Sequence, residues 1–231
     1  MALFLDHETH TYRNTLFPEK QYTSVTTFIG KFKTKFESEL IAERVAKKNN
    51  KTKEEVLNEW KEIALQATTY GTEIHNLIEE WIKKKGFVFP TNPEHKEVIK
   101  ELKQFNFLSA HEVLPEKILS LEDYNLAGTS DLILDYGDYF CIVDYKTNKK
   151  IHLMSDYNQW MNQPLDYLTD CSYTHYSLQM SIYAYMYSEL TGKKLGNLRL
   201  LWWDRTNSKF VVYPVPYMRE EVILMLKNYN I

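Results

Sequence analysis

Two short runs of this chain carry groups suited to handling a charged substrate. The first is Gly128-Thr129-Ser130-Asp131, leading into the apolar stretch Leu132 to Tyr136. The second follows a turn at Gly137-Asp138 and runs from Tyr139 to Thr147, closing on Asp144-Tyr145-Lys146. These residue types favour strands, and the turn residues favour a hairpin. Alternation along the second strand puts Asp144 and Lys146 on one face, with Ile142 and Phe140 behind them. A carboxylate and an ammonium at the end of a buried strand are costly to desolvate without a partner, and a divalent cation would supply one. An acid two residues before a lysine occurs four times, at Glu59/Lys61, Glu94/Lys96, Glu101/Lys103 and Asp144/Lys146. The first three lie in charged stretches that read as solvated helix faces. Only the fourth closes an apolar strand, where the plain alternative is a salt bridge at a strand end.

Two further pairs have helical spacing. His75 and Glu79 in Gly71-Thr-Glu-Ile-His75-Asn-Leu-Ile-Glu79 share one face of a helix and can reach the same metal or water, with Gly71 before the helix permitting a close backbone approach. Gln179 and Tyr183 repeat the spacing and present an amide and a phenol together. Each has an ordinary explanation: a His-Glu pair on an amphipathic surface, and one of 17 tyrosines falling a turn from a glutamine.

The elements that must position these groups follow from periodicity. A short hairpin is expected within 3–23, and Ser24-Val25-Thr26 opens a helical region. Helical patterning runs from Phe36 to Lys48, Lys53 to Gln66, Thr72 to Lys84 and, after the break at Asn92-Pro93, from His95 to Leu108. Strands are expected at 112–120, 129–136 and 139–146, a long helix at 173–191, strands at 197–204 and 209–214, and a last amphipathic helix from Arg219 to Lys227. This divides one domain of 1–231 into an α-rich region (1–110), a mixed core (111–215) and a C-terminal helix (216–231).

The 231 residues, 44% of them hydrophobic, suffice for one proper core. Apolar runs fall short of the ~20 residues needed to span a bilayer, and the N-terminus lacks the basic start and apolar stretch of a signal peptide, so a soluble, cytoplasmic protein is expected. A net charge of −3 gives no global polybasic signal for nucleic acid and counts mildly against a passive DNA coat. It does not exclude an enzyme whose acids bind metal. Cys141 and Cys171 are the two cysteines, too few for a zinc ribbon or a four-cysteine cluster, and Cys141 reads as buried filler.

The order of the pieces is a helix with His75 and Glu79, a strand with Asp131, a strand with Asp144-x-Lys146 and a helix with Gln179-x-x-x-Tyr183. In that order the chain resembles the PD-(D/E)XK nuclease superfamily and, within it, the RecB-like exonucleases of phage and mitochondrial single-domain type. His10-Thr-Tyr12, Tyr22-Thr-Ser24-Val-Thr26 and the stretch from Gly71 to His75 extend the likeness, which covers residues 6 to about 205. It departs from the pattern at Ser130, where the family's leading proline would stand, and it lacks the cysteines of the iron-sulfur relatives, implying a cluster-free subgroup.

The resemblance implies an α/β fold, with a central mixed β-sheet flanked by helices (a restriction-endonuclease-like core) behind an α-rich N-terminal region able to arch over single-stranded DNA. It implies Mg²⁺ or Mn²⁺ held by Asp131, Asp144, the carbonyl of Tyr145 and His75, with Glu79 as an outer ligand and Lys146 beside the attacking water and phosphate. Gln179 and Tyr183 would orient the site or hold the DNA backbone, and Ser24 and Thr26 would meet a terminal phosphate unless they simply cap a helix. The implied activity is metal-dependent exonuclease action on linear DNA with single-stranded ends, in phage-type replication, recombination or repair, beside proteins of those processes. A structure-selective endonuclease, an RNA-acting nuclease and a non-catalytic nucleic-acid-binding scaffold are the alternatives.

Overall fold

The computed structural model describes residues 3–6, 9 and 11–229; His10 of the N-terminal motif lies outside them. Strands β1 (Leu3–Asp6) and β2 (Thr11–Asn14) form the expected antiparallel hairpin. A two-residue strand β3 (Thr23–Ser24) leads into α1 (Val25–Gly30), followed by α2 (Ser38–Asn49), α3 (Lys53–Lys83) and α4 (Pro93–Leu102). Strands β4 (Glu112–Leu121), β5 (Leu126–Asp135) and β6 (Tyr139–Lys146) come next, then α5 (Ser172–Thr191), β7 (Lys194–Asp204), β8 (Lys209–Val215) and α6 (Arg219–Lys227).

The main sheet has the order β3-β5-β6-β7-β8, with β4 also paired to β5. It is mixed: β6 and β7 run parallel across the α5 crossover, as do β3 and β5, while the pairs β4/β5, β5/β6 and β7/β8 are antiparallel. Its strands are apolar on both faces because both are covered. On one side Phe140 and Ile142 of β6 pack with Val25 and Phe28 of α1, Leu178 and Ile182 of α5 and Val222 of α6. On the other, Cys141, Val143 and Tyr145 meet Ile74, Ile78 and Trp81 of α3 and Val98 and Leu102 of α4. Cys141 is therefore the buried filler its context implied. The mixed sheet between helix layers, with a helical N-terminal region, is the fold class expected.

Two helices differ from expectation. Residues 53–83 form one continuous helix of 31 residues, about 45 Å long, instead of two helices separated before Gly71. A capping box between Thr52 and Glu55 starts it, and its first half packs on α2 through Ala42, Ala46 and Val56. Gly71 stays inside the helix because Thr147 crosses there: a Cβ on Gly71 would stand 3.2 Å from Thr147 Oγ1. Helix α4 stops at Leu102, and two 3₁₀ turns hinged on Asn106, at φ 49°, carry the chain to Ser109. Among the described residues no helix is long and apolar enough to cross a membrane.

Candidate active site

The site is built on a fork in the sheet. The β5/β6 ladder runs from Asp135↔Phe140 to Leu132↔Val143 and stops. The next residue on each strand is an aspartate, Asp131 on β5 and Asp144 on β6. Beyond the fork β6 stays paired to β7, with Asp144 opposite Leu200 and Lys146 opposite Trp202, whereas β5 turns to β3 through Leu126 and Ala127. The parting leaves the Tyr145 N–H without a β5 carbonyl, and Asp131 Oδ2 accepts it at 2.9 Å. The two carboxylates are thus brought together by the loss of one rung of hydrogen bonding.

Helix α3 closes the fork. The His75 ring stands edge-on to Tyr145 at 5.9 Å, with Nε2 3.0 Å from the Tyr145 carbonyl oxygen and Nδ1 3.6 Å from Asp131 Oδ2. If Nε2–H donates to the carbonyl, the Nδ1 lone pair faces the carboxylate, an arrangement suited to a shared cation. On β4, Glu116 lies in register opposite Asp131, between the pairs Pro115↔Leu132 and Lys117↔Ser130. His75, Glu116 and Asp131 each offer a ligand atom within 4.8 Å of the others.

Sequence reasoning missed Glu116. It sits among the charges of Glu112 and Lys117 and has no motif spacing to the aspartates. The available signal was Pro115 inside a strand, which marks an edge or an irregularity; Glu116 indeed adopts a left-handed φ of 48°, a conformation a non-glycine residue holds only when its surroundings require it.

The electrostatics are those of a site short of positive charge. Burial, together with Asp131, Glu79 and Asp144, pushes the Glu116 carboxyl up to about 8. Asp144, 1% exposed, is pushed up to about 6 by burial, with Lys146 opposing and Asp131 reinforcing the shift. Its Oδ2 is ion-paired with Lys146, while the buried Oδ1 has no hydrogen-bond partner among the described residues. A buried carboxylate oxygen left without a partner, beside two further carboxylates and an imidazole, is the donor set a hard divalent cation takes. Burial works against the Lys146 ammonium, but Asp144 and Asp131 outweigh it and raise its pKa. The amine also lies 4.9 Å from the centre of the Tyr176 ring and 3.3 Å from the Tyr145 carbonyl oxygen. It stays an ammonium and acts through charge.

The remaining predicted residues are placed as follows. Glu79 lines the same cleft, of about 610 Å³, with His75, Asn76, Lys83, Glu116 and Thr129. Its carboxylate is engaged by Lys83 at 2.5 Å and lies outside the three-ligand cluster. Gln179 Nε2 donates to the Tyr183 hydroxyl at 3.2 Å; Gln179 is half-buried and Tyr183 only 3% exposed, packed beneath Gly128. Tyr183 therefore supports Gln179 and β5 from within the core. Ser24 is the N-cap of α1, its Oγ accepting the Thr27 N–H at 3.1 Å, and Thr26 is exposed in the first turn. Ser24 pairs with Ala127, four residues along β5 from Asp131, and neither Ser24 nor Thr26 lines the cleft.

Comparison with known proteins gives a family match and two structural likenesses. The sequence profile of the PD-(D/E)XK nuclease superfamily matches residues 37–224. Among solved structures, the chain is similar to the "putative exonuclease" of Eubacterium rectale at 13% identity and a TM-score of 0.43, over 91% of this chain and 79% of that one. It is similar also to SSO0001 at 13% identity and a TM-score of 0.38, over 90% and 74%. No curated protein matches it.

Proposed function

The chain belongs to the PD-(D/E)XK nuclease superfamily, and from that premise we propose that it is a metal-dependent DNA exonuclease of the RecB-like branch, acting on linear DNA with single-stranded ends in replication, recombination or repair. The observation that carries this reading is the convergence of Asp131, Asp144 and Lys146 at the β5/β6 fork, with His75 and Glu116 closing on the same point.

Asp131, Asp144, Glu116, His75 and the Tyr145 carbonyl would hold Mg²⁺ or Mn²⁺, the imidazole favouring Mn²⁺. Such a cation, when bound, polarises the scissile phosphate and makes water nucleophilic near neutral pH. Lys146, kept charged by Asp144 and held over Tyr176, neutralises charge that develops on the phosphate oxygens. Glu79 and Lys83 line the cleft through which the strand reaches these groups, and Gln179, fixed by Tyr183, steadies the α5 side.

The test is end-labelled linear and closed circular DNA, single and double stranded, with a matching RNA, incubated with Mg²⁺, Mn²⁺ or EDTA. Wild type should degrade linear single strands only with metal, and Asp144→Ala and Lys146→Ala should each lose at least about 10²-fold in turnover. Cutting of closed circles would convert the reading to an endonuclease, and preference for RNA to a ribonuclease. Equal degradation by Asp144→Ala would leave the scaffold alternative.

A further inference from the structure

Beside the active cleft a second cavity, of about 530 Å³, opens at the same end of β6. Thr147, the residue after Lys146, lines it together with Tyr70, Trp202 and Arg205. Gly71, which Thr147 touches, lines the active cleft, so the two hollows flank one close contact between α3 and the end of β6. From Tyr70 to His75 is about 7.5 Å along the helix, on the order of one nucleotide.

The walls of this cavity suit an unpaired base. The Trp202 indole is half-buried and fixed in orientation by its N–H, which donates to the Asn148 carbonyl at 2.6 Å. The Arg205 guanidinium lies 4.4 Å from the Tyr70 ring centre and is 66% exposed, giving a flat cationic surface. Ile63, on the half of α3 that extends beyond the sheet, is 52% exposed on the cavity wall. Lys149 is exposed and makes no ion pair among the described residues. The acids nearby are already engaged: Glu94 by Tyr70 and Arg205, and Asp204 by Thr206 and Asn207 of its own turn. Lys149 and Arg205 set two cationic groups beside aromatic faces, balanced by Glu94 and Asp204, and cations against aromatic faces are what single-stranded nucleic acid binds.

We propose that this cavity is a subsite for the nucleotide flanking the scissile phosphate of single-stranded DNA. The base stacks on Trp202 or on the Arg205–Tyr70 pair, and its phosphate meets Lys149. The proposal rests on the nuclease reading for its orientation toward the active cleft. Its test is run in EDTA, where nothing is cut. A single-stranded oligodeoxynucleotide carrying 5-iododeoxyuridine is photo-crosslinked to the full chain and the adducts are mapped by mass spectrometry, and fluorescence anisotropy of the same oligonucleotide gives Kd.

Adducts on Trp202 or Tyr70 are expected. Kd should rise at least about tenfold in Ile63→Glu, and again in a Lys149→Ala, Arg205→Ala double variant, with thermal melts confirming that each is folded. Adducts confined to other surfaces, such as Tyr157 and Trp160, or unchanged Kd in both variants, would overturn it. Crosslinking here by a protein that cuts nothing with Mn²⁺ would uphold the subsite and sink the nuclease reading; cutting with unchanged Kd would do the reverse.

Discussion

Replacing Gly128 by alanine should damage the protein although the position lies inside strand β5 and has no left-handed backbone to maintain. An added Cβ would stand 2.6 Å from Tyr183 Cε1, 2.8 Å from Val25 Cγ2 and 3.1 Å from the Tyr183 hydroxyl. The first two distances are closer than real Cβ contacts come, and neither neighbour yields easily. Tyr183 is 3% exposed and bonded to Gln179, and Val25, at 1%, is wedged in the first turn of α1. Overpacking of this kind costs about 1–3 kcal/mol, and a clash with two elements at once belongs at the upper end, so a loss of about 2–3 kcal/mol is expected in urea unfolding. The strain also falls three residues before Asp131, so metal-dependent cleavage should fall more steeply than the folded fraction. Trimming the obstruction tests the cause: Tyr183→Leu should be destabilising alone yet less so in the Gly128→Ala background, with a coupling energy of at least about 1 kcal/mol. A Gly128→Ala protein as stable as wild type, or additive double-variant energies, would refute the packing argument.

Asp135 is fully buried at the other end of the same strand and accepts from Tyr187, Lys193 and the Gly137 N–H at 2.6, 2.6 and 2.8 Å. Asp135→Asn should cost about 3–5 kcal/mol in urea unfolding, with part recovered by adding Lys193→Met. Burial raises the Asp135 carboxyl, but Lys193 and Tyr187 outweigh it and the net shift is downward from 3.8. Its contribution is therefore present above that value and lost in more acidic solution. Glu116 has the opposite sign. Burial and the neighbouring carboxylates push its carboxyl from 4.5 up to about 8, so its contribution to the stability of the metal-free protein is fully present below 4.5 and is lost as pH climbs through 8. Thermal melts across this range should show the decline, and Glu116→Gln should flatten it. For metal itself, Glu116→Gln should weaken Mn²⁺ binding by at least about tenfold in calorimetry, and Glu79→Gln by clearly less, since Lys83 already engages that carboxylate.

The sheet and most helices were legible because the chain announces them locally. Residues 139–146 and 219–227 fall where their apolar spacing puts them, and both faces of β6 are apolar because helices cover both. The sequence pattern breaks helix α3 before Thr72, where Gly71 is a poor helix residue by propensity. The reason for Gly71 is a crossing with Thr147, some seventy-five positions away in the chain, which no local pattern encodes. The site divides along the same line. Asp131, Asp144, Lys146 and His75 were visible because their spacing ties each to an element whose direction is set by periodicity. Glu116 was not, because it reaches the site through strand register and a left-handed backbone, both properties of the folded sheet.

The fork explains why these levels meet at one place. A β-ladder that simply continued would satisfy the Tyr145 N–H with a carbonyl of β5 and hold Asp131 and Asp144 apart from any shared ligand. By stopping at Leu132 and Val143, the sheet hands that donor to the Asp131 carboxylate and opens room for an imidazole from one helix layer and an ammonium held by the other. The cost is a cluster of acids with too little counter-charge, visible in the raised carboxyls of Glu116 and Asp144 and in the unpartnered Asp144 oxygen. Stability alone would favour an apolar residue at such a buried position, so the charges at the parted strands argue for a bound cation rather than for packing.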